Sequence, residues 1–413
     1  MTNHKNIYGN RSHRPEITER LQKDIILEGM NFCQRRNDSI KRAVYNSSGG
    51  KPFDLNAAWQ DIVETCAANE GKTYTESTTL IGSMNLSGTY PLNSAVLAPG
   101  GFIYLPPYMD NKIYKIDTNM DTVSVVGQVG EVGVRKYTGA VYAPDGCIYA
   151  IPSWNNSILK IDPRNDAYET FGEDTLSATS YSKWAGACAL PDGRIFGIPF
   201  ASENVLVINI YSRSISTFGS LPSTNSKWDG GILSPHGYIY SPQGYIYGIP
   251  SSASTFLKIN PQTLTTETFG TEGSSTNKFA GPTLCSNGKI YCLPWFGSRA
   301  SVIDPNNDSV VHINTSISGS SQYEGSVLAP NGNIYCSPCN SNSVAVFNPA
   351  NNNVSTIYAG TSKYRAGVLS PNGYIYFIPN KNGTQPLLKV NPGADVCQNF
   401  KESTLLSPFL NKY

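Results

Sequence analysis

The sequence predicts an all-β protein, a seven-bladed β-propeller of four-stranded blades with a short α-helical N-terminal extension. Three observations predict it. A turn core ending in Gly and followed by Ile-Tyr or Ile-Phe recurs seven times, and its flanking residues keep fixed distances. The third is composition. The 413 residues include 37 Gly, 27 Pro and 25 Tyr, and 15% are charged against roughly 25% in ordinary soluble domains, which suits many short strands joined by tight turns.

The turn cores are APGGFIY from Ala98, APDGCIY from Ala143, LPDGRIF from Leu190, SPHGYIYSPQGYIY from Ser234, CSNGKIY from Cys285, APNGNIY from Ala329 and SPNGYIY from Ser370. Pro sets φ for the first central position, Asp or Asn suits the second, and Gly takes the left-handed conformation that reverses the chain. The Ile-Tyr pair then opens a β-favouring run. Nine residues before the Gly stands Leu92, Tyr137, Trp184, Trp228, Phe279, Tyr323 or Tyr364. Three residues after the Tyr or Phe stands Pro107, Pro152, Pro199, Pro250, Pro294, Pro338 or Pro379. Sixteen after the Gly comes Asp117, Asp162, Asn209, Asn260, Asp304 or Asn348, with eighteen needed to reach Asn391. A fourth run such as YETFG or TETFG follows, giving four strands per unit and turn glycines 41 to 51 residues apart.

Blade four carries its phrase twice. Trp228 to Gly237 satisfies the upstream ruler, while Gly244 to Pro250 and Asn260 satisfies the downstream one. Seven residues, Gly237 to Gln243, are therefore expected to be extruded, leaving Tyr238 and Tyr240 on a protruding loop. The ring is expected to close with TTLIGS (Thr78 to Ser83) as the outer strand of the last blade, STLLSPFL (Ser403 to Leu410) being the competitor.

The unit PDGxIYxxPxxxNxVxxIDPxNxxxxTF resembles the YVTN-type repeats of cell-surface propellers and, more loosely, the blades of streptogramin lyases and NHL-type propellers. The resemblance covers about residues 78 to 400. It implies the architecture but not an activity, because propellers host unrelated functions. The lyase-like members rely on histidine acid/base chemistry at one mouth of the ring. Here the four histidines are His4, His13, His236 in a turn core and His312 in an expected outer strand.

Residues 1–76 lack the repeat and are expected to form a helical extension, with residues 77–413 as the propeller. Ile17, Leu21 and Ile25 have helical spacing after Pro15, and Asp54 is placed to cap a second helix carrying Leu55, Trp59, Ile62, Val63 and Cys66. Two such helices are too small to stand alone and are expected to dock the protein to a partner or pack on the propeller.

Positions shared by all blades are read as scaffold, and departures from symmetry as function. The segments entering the innermost strands read RKYTG, SKWAG, SKWDG, NKFAG, SQYEG and SKYRA. Lys136, Lys183, Lys227, Lys278 and Lys363 are expected to ring the channel mouth and draw an anionic ligand, the alternative being stems laid over the neighbouring aromatics. Just after the aromatic the symmetry breaks, giving Asn93, Thr138, Ala185, Asp229, Ala280, Glu324 and Arg365. Asp229, Glu324 and Arg365 are the expected polar pocket. Tyr108, Trp154, Phe200, Trp295 and Phe296 fall on loops of the same face and suit a glycan or a protein partner.

No GxSxG, HExxH or P-loop occurs, and the single CxxC, Cys336 to Cys339, falls on ordinary repeat slots, so neither metal nor cofactor is expected. A net charge of +1 argues against nucleic acid, no apolar run reaches 18 residues, and the N-terminus lacks a signal-peptide core. Nine cysteines without a disulfide-like spacing suit a protein made in the cytoplasm. The leading expectation is a non-enzymatic binding or structural propeller in a large assembly such as a virus or phage particle. A lyase- or hydrolase-like enzyme with a polar pocket at the channel mouth, and a cytosolic interaction scaffold, are the alternatives.

Overall fold

The computed structural model describes residues 75–393 except 180, 235–243, 318 and 320. The expected N-terminal helices, His4, His13, His236, Tyr238, Tyr240 and the Ser403 to Leu410 segment lie outside the described residues. Among the described residues, twenty-eight strands form seven antiparallel four-stranded sheets, with one 3-10 turn, Pro99–Gly101, in the first hairpin.

The first strand in the chain, β1 (Ser77–Leu86), belongs to the last blade. Blade 1 runs from the channel outward as β2 (Val96–Ala98), β3 (Phe102–Leu105), β4 (Lys112–Asp117) and β5 (Thr122–Gln128). Blade 2 is β6 (Tyr137–Tyr142), β7 (Ile148–Pro152), β8 (Ile158–Asp162) and β9 (Ala167–Phe171). Blade 3 is β10 (Trp184–Ala189), β11 (Arg194–Pro199), β12 (Val205–Asn209) and β13 (Ile215–Phe218). Blade 4 is β14 (Trp228–Leu233), β15 (Ile246–Pro250), β16 (Phe256–Asn260) and β17 (Thr265–Phe269). Blade 5 is β18 (Phe279–Leu284), β19 (Ile290–Pro294), β20 (Arg299–Asp304) and β21 (Ser309–Asn314). Blade 6 is β22 (Tyr323–Leu328), β23 (Ile334–Pro338), β24 (Ser343–Phe347) and β25 (Val354–Tyr358). Blade 7 is β26 (Tyr364–Leu369), β27 (Ile375–Pro379) and β28 (Gly383–Asn391), with β1 as its outermost strand. The N-terminal strand thus closes the ring, as expected.

Each repeat residue has a local task. Outside blade 4 the hairpin glycines sit at φ +76° to +86°, which a side chain would oppose. The strand-closing Asp or Asn accepts backbone N–H groups two residues on, as in Tyr211 N to Asn209 Oδ1 at 3.0 Å and Asn306 N to Asp304 Oδ1 at 3.0 Å. The residue nine before each Gly pairs across the blade with the repeat proline, from Leu92 with Pro107 to Tyr364 with Pro379.

The core lies between blades. Ile151 and Ile158 of blade 2 pack with Trp184, Ile195 and Leu206 of blade 3, and each such buried side chain contributes about 1.5–3 kcal/mol. Polar clasps reinforce these seams. Tyr247 donates to Asp308 of the next blade at 2.7 Å, and Lys258 pairs with the same carboxylate at 2.5 Å. Tyr376 and Lys389 hold Asp121 in the same way, as do Tyr104 and Lys115 with Asp166. In blade 7 no hairpin leads into the outer strand, and Tyr335 instead donates to Glu76, just ahead of β1, at 2.6 Å.

The doubled phrase leaves register intact. Trp228 pairs with Pro250 and Leu233 with Ile246, and Ser234 N reaches Tyr245 O at 2.9 Å to close the ladder on either side of the insertion. Among the described residues no helix is long and apolar enough to cross a membrane.

Candidate functional site

The site is built by a bulge repeated around the ring. In blade 4, Trp228 pairs with Pro250 and Gly231 with Gly248, so Asp229 and Gly230 oppose the single residue Ile249. The same one-residue shift follows the first pair in every inner strand. A bulge re-aims the side chain at its first position, here into the channel. In blades 3 to 6 the second position needs a glycine for two reasons, whereas blade 1 carries Ser94 there and blade 7 Ala366. Gly186, Gly230, Gly281 and Gly325 have φ of +77° to +85°, and a Cβ on Gly186 would lie 2.7 Å from Gly230 Cα of the next blade. Adjacent inner strands therefore meet backbone to backbone, and the channel wall is lined largely by Gly, Ala and Ser. It encloses about 280 Å³.

The bulge brings the three expected charged residues together at one mouth. Arg365 Nη2 pairs with Glu324 Oε1 across the blade 6 to blade 7 seam. Glu324 also accepts the Cys339 thiol at 3.6 Å. Asp229 faces this pair with neither a hydrogen bond nor an ion pair among the described residues. Desolvation pushes its carboxyl up to about 6, with Arg365 opposing and Glu324 adding to the rise. Tyr108 belongs to the same field: burial raises its phenol, and Arg365 acts against that. The remaining symmetry positions are occupied otherwise. Asn93 Nδ2 donates to Thr138 O at 2.9 Å, Thr138 Oγ1 donates to Trp184 O at 2.5 Å, and Ala185 is small.

The expected ring of open ammonium groups is not what these side chains form. Lys136, Lys183, Lys227 and Lys278 are each less than 10% exposed. Their ammonium groups donate to loop carbonyls: Val134 O at 3.1 Å, Asn155 O at 2.6 Å, Thr224 O at 2.9 Å and Ala253 O at 2.8 Å, respectively. Lys363 reaches Asn340 O at 2.9 Å. Burial pulls Lys136, Lys183 and Lys227 down to about 8. The backbone explains the slot, since Lys227 N bonds Phe200 O of the preceding blade at 2.8 Å and puts the residue in the seam.

The expected aromatics divide. Tyr108 is buried, Trp154, Phe200 and Trp295 are half-buried, and Phe296 is 46% exposed. Arg135 lies over the Trp154 ring at 5.2 Å, and the indole N–H groups of Trp154 and Trp295 are buried without partners. Cys336 is a core residue, whereas Cys339 belongs to the mouth, a role the reading of the CxxC as ordinary repeat positions missed. The slot itself was the available signal. It follows the repeat proline, where Tyr108, Phe200 and Trp295 also stand.

His312 lies in the outer strand β21, away from the channel, with Nδ1 3.0 Å from Ser301 Oγ. Ser301 in turn donates to Glu272 at 2.7 Å, and Arg299 pairs with that buried carboxylate at 2.7 Å. Ser301 is fully buried, so this cluster offers no accessible nucleophile. Among the described residues no group of His, Cys, Asp and Glu is placed to hold a metal ion.

No family model matches the chain, and no curated protein matches it in sequence. Its fold is similar to many solved structures. A streptogramin B lyase structure aligns with a TM-score of 0.63 at 11% identity, over 78% of this chain and 99% of that one. A catalytically inactive virginiamycin B lyase from Staphylococcus aureus, with quinupristin, gives 0.63 at 11% identity, over 77% and 99%. The WD40 propeller domain of Doa1 gives 0.55 at 12%, over 76% and 97%. Lyases and a WD40 domain alike share the scaffold at such identities, so what is common to them and to this chain is the β-propeller fold.

Proposed function

We propose that the protein is a non-enzymatic binding module that holds its ligand at the charged mouth of the propeller channel. One observation carries this reading. The Asp229 carboxylate stands half-buried beside the Glu324–Arg365 pair, with neither a hydrogen bond nor an ion pair among the described residues. A protein stabilised only for itself gains nothing from such a group, whereas a ligand supplies the missing partner. Against catalysis stands the mouth's chemistry: its carboxylates face an arginine and a tyrosine, and the described histidine lies in an outer strand.

The docking part of the reading falls to residues 1–76, whose helical spacing suits attachment to a larger assembly such as a virus particle. Removal of residues 1–74 is expected to release the protein from its native assembly with the propeller still folded.

The central test is a fragment set screened by ligand-observed NMR, each compound recovered for mass spectrometry. Compounds should bind the native protein, lose binding to the Asp229→Asn/Glu324→Gln/Arg365→Met variant, and return unchanged. Chemical conversion by the native protein but not the variant would establish the enzyme instead. Binding indifferent to the variant would remove the mouth from consideration.

A further inference from the structure

The mouth carries charges of both signs that the fold leaves unanswered. Arg135 lies over the Trp154 ring at 5.2 Å, and its guanidinium makes no hydrogen bond or ion pair among the described residues. Asp229 likewise has no partner there. Lys363 donates to Asn340 O at 2.9 Å and forms no ion pair among the described residues. Tyr108 stands among these groups: burial raises its phenol, Arg365 and Arg135 pull it back down, and Asp229 adds to the rise. The backbone fixes the arrangement. Tyr108 N bonds Pro91 O at 2.9 Å, Lys136 N bonds Tyr108 O at 2.8 Å and Trp154 N bonds Arg135 O at 2.9 Å, which knits the loops of blades 1 and 2 into one rim.

Aromatic rings share that rim with the charges. Tyr90 is 46% exposed, and the Arg365 guanidinium lies over its ring at 5.9 Å. Tyr90 O accepts from Met109 N at 3.3 Å, which ties the exposed ring to the loop that carries Tyr108. Trp154 is half-buried beneath Arg135. Tyr90, Arg365, Asp229, Tyr108, Arg135 and Trp154 thus form one arc of rings and charged groups. Within it Arg365 is answered by Glu324, while Asp229 and Arg135 do not reach each other.

We propose that the ligand of this mouth is an uncharged sugar residue, its hydroxyls spanning Asp229 and Arg135 and its ring lying against Tyr90. This rests on the reading of the mouth as a binding site and gives that site a chemistry. A cation would meet Arg135, Arg365 and Lys363, and an anion would meet Asp229 and Glu324, so either faces like charges along with opposite ones. A hydroxyl both donates and accepts. An uncharged polyol therefore answers a bare carboxylate and a bare guanidinium together, with charge-assisted hydrogen bonds to each. It does so without breaking the Glu324–Arg365 pair. The C–H face of a pyranose covers an exposed aromatic ring and leaves the hydroxyls at its edge free for those bonds.

The test uses saturation-transfer NMR and isothermal titration calorimetry on the native protein near pH 7.5. The probes are methyl β-D-glucopyranoside, methyl β-D-galactopyranoside and methyl α-D-mannopyranoside. At least one should bind, with transfer strongest at its ring C–H protons. The 6-carboxylate and 6-ammonium analogues of that sugar should bind at least about tenfold more weakly. Raising NaCl from about 50 to about 500 mM should leave the affinity within about twofold, because the ligand brings no charge to screen. Asp229→Ala and Arg135→Met should each weaken binding at least about tenfold, since each removes a hydrogen bond to a charged group. Tyr90→Ala should weaken it about three- to tenfold. The comparison among probes needs no variant, so a misfolded variant leaves the test intact. A charged analogue that binds as well as the neutral sugar overturns the proposal, as does affinity unchanged in Asp229→Ala or Arg135→Met. N-acetylglycinamide binding in place of the sugars would also overturn it and assign the mouth to a peptide. If none of the three sugars binds, the saccharide assignment fails, and the fragment screen decides the broader reading independently.

Discussion

Asp229 illustrates what one residue costs a fold. Its carboxyl titrates at about 6 in the folded protein against 3.8 ordinarily, because desolvation outweighs the pull of Arg365. A raised folded value means the native state holds the proton longer than the unfolded chain does. The associated stability is fully present below about 3.8 and is lost as pH rises through about 6. Asp229→Asn removes the ionisation while keeping the shape. It should raise the melting temperature at pH 7.5, corresponding to about 1–3 kcal/mol, and the gain should shrink as pH falls from 6 to 4. Thermal melts across that range check it, and a variant destabilised at every pH would mark Asp229 as structural. The three charged residues were legible in the sequence because they break a pattern that the other blades keep. The lysines were misread for a physical reason. Spacing places them beside the aromatic, but only the bulge, which separates Lys227 from Asp229 in direction, shows that one points into the seam and the other into the channel.

At the scale of elements, strands and turns were nearly all readable, since Pro, Asp or Asn, Gly and Tyr each do a local job that sequence spacing preserves. The inner-strand bulge was written there too, in the Gly of YTG, WAG, WDG, FAG and YEG, although a glycine inside a strand does not announce a one-residue shift by itself. The seam clasps were less visible because they join residues about 60 positions apart, as Tyr104 joins Asp166. Glu76 is the instructive case. It takes the carboxylate's place in a seam whose outer strand comes from the opposite end of the chain. A double-mutant cycle of Glu76→Ala and Tyr335→Phe should show a coupling of about 0.5–2 kcal/mol in denaturant unfolding. Additive effects would mean that the two side chains do not act as one clasp.

For the whole molecule, β1 decides whether there is a ring. It pairs with β28 from Ser77 with Asn391 to Leu86 with Gly383, and it buries Met84 and Leu86 against blades 1 and 7. Removing residues 1–74 should leave a cooperative melt, whereas removal through Leu86 exposes the β28 edge and should give a non-cooperative, aggregating product, as read by calorimetry and light scattering. The closing pair also sets a clock on synthesis. Leu86 leaves the ribosome about 300 residues before its partner Gly383, an interval of about 15–60 s at about 5–20 residues per second. Throughout that time an unpaired strand waits beside a growing arc of finished blades, so the newborn chain is most open to capture by a neighbouring copy just before its last blade is made.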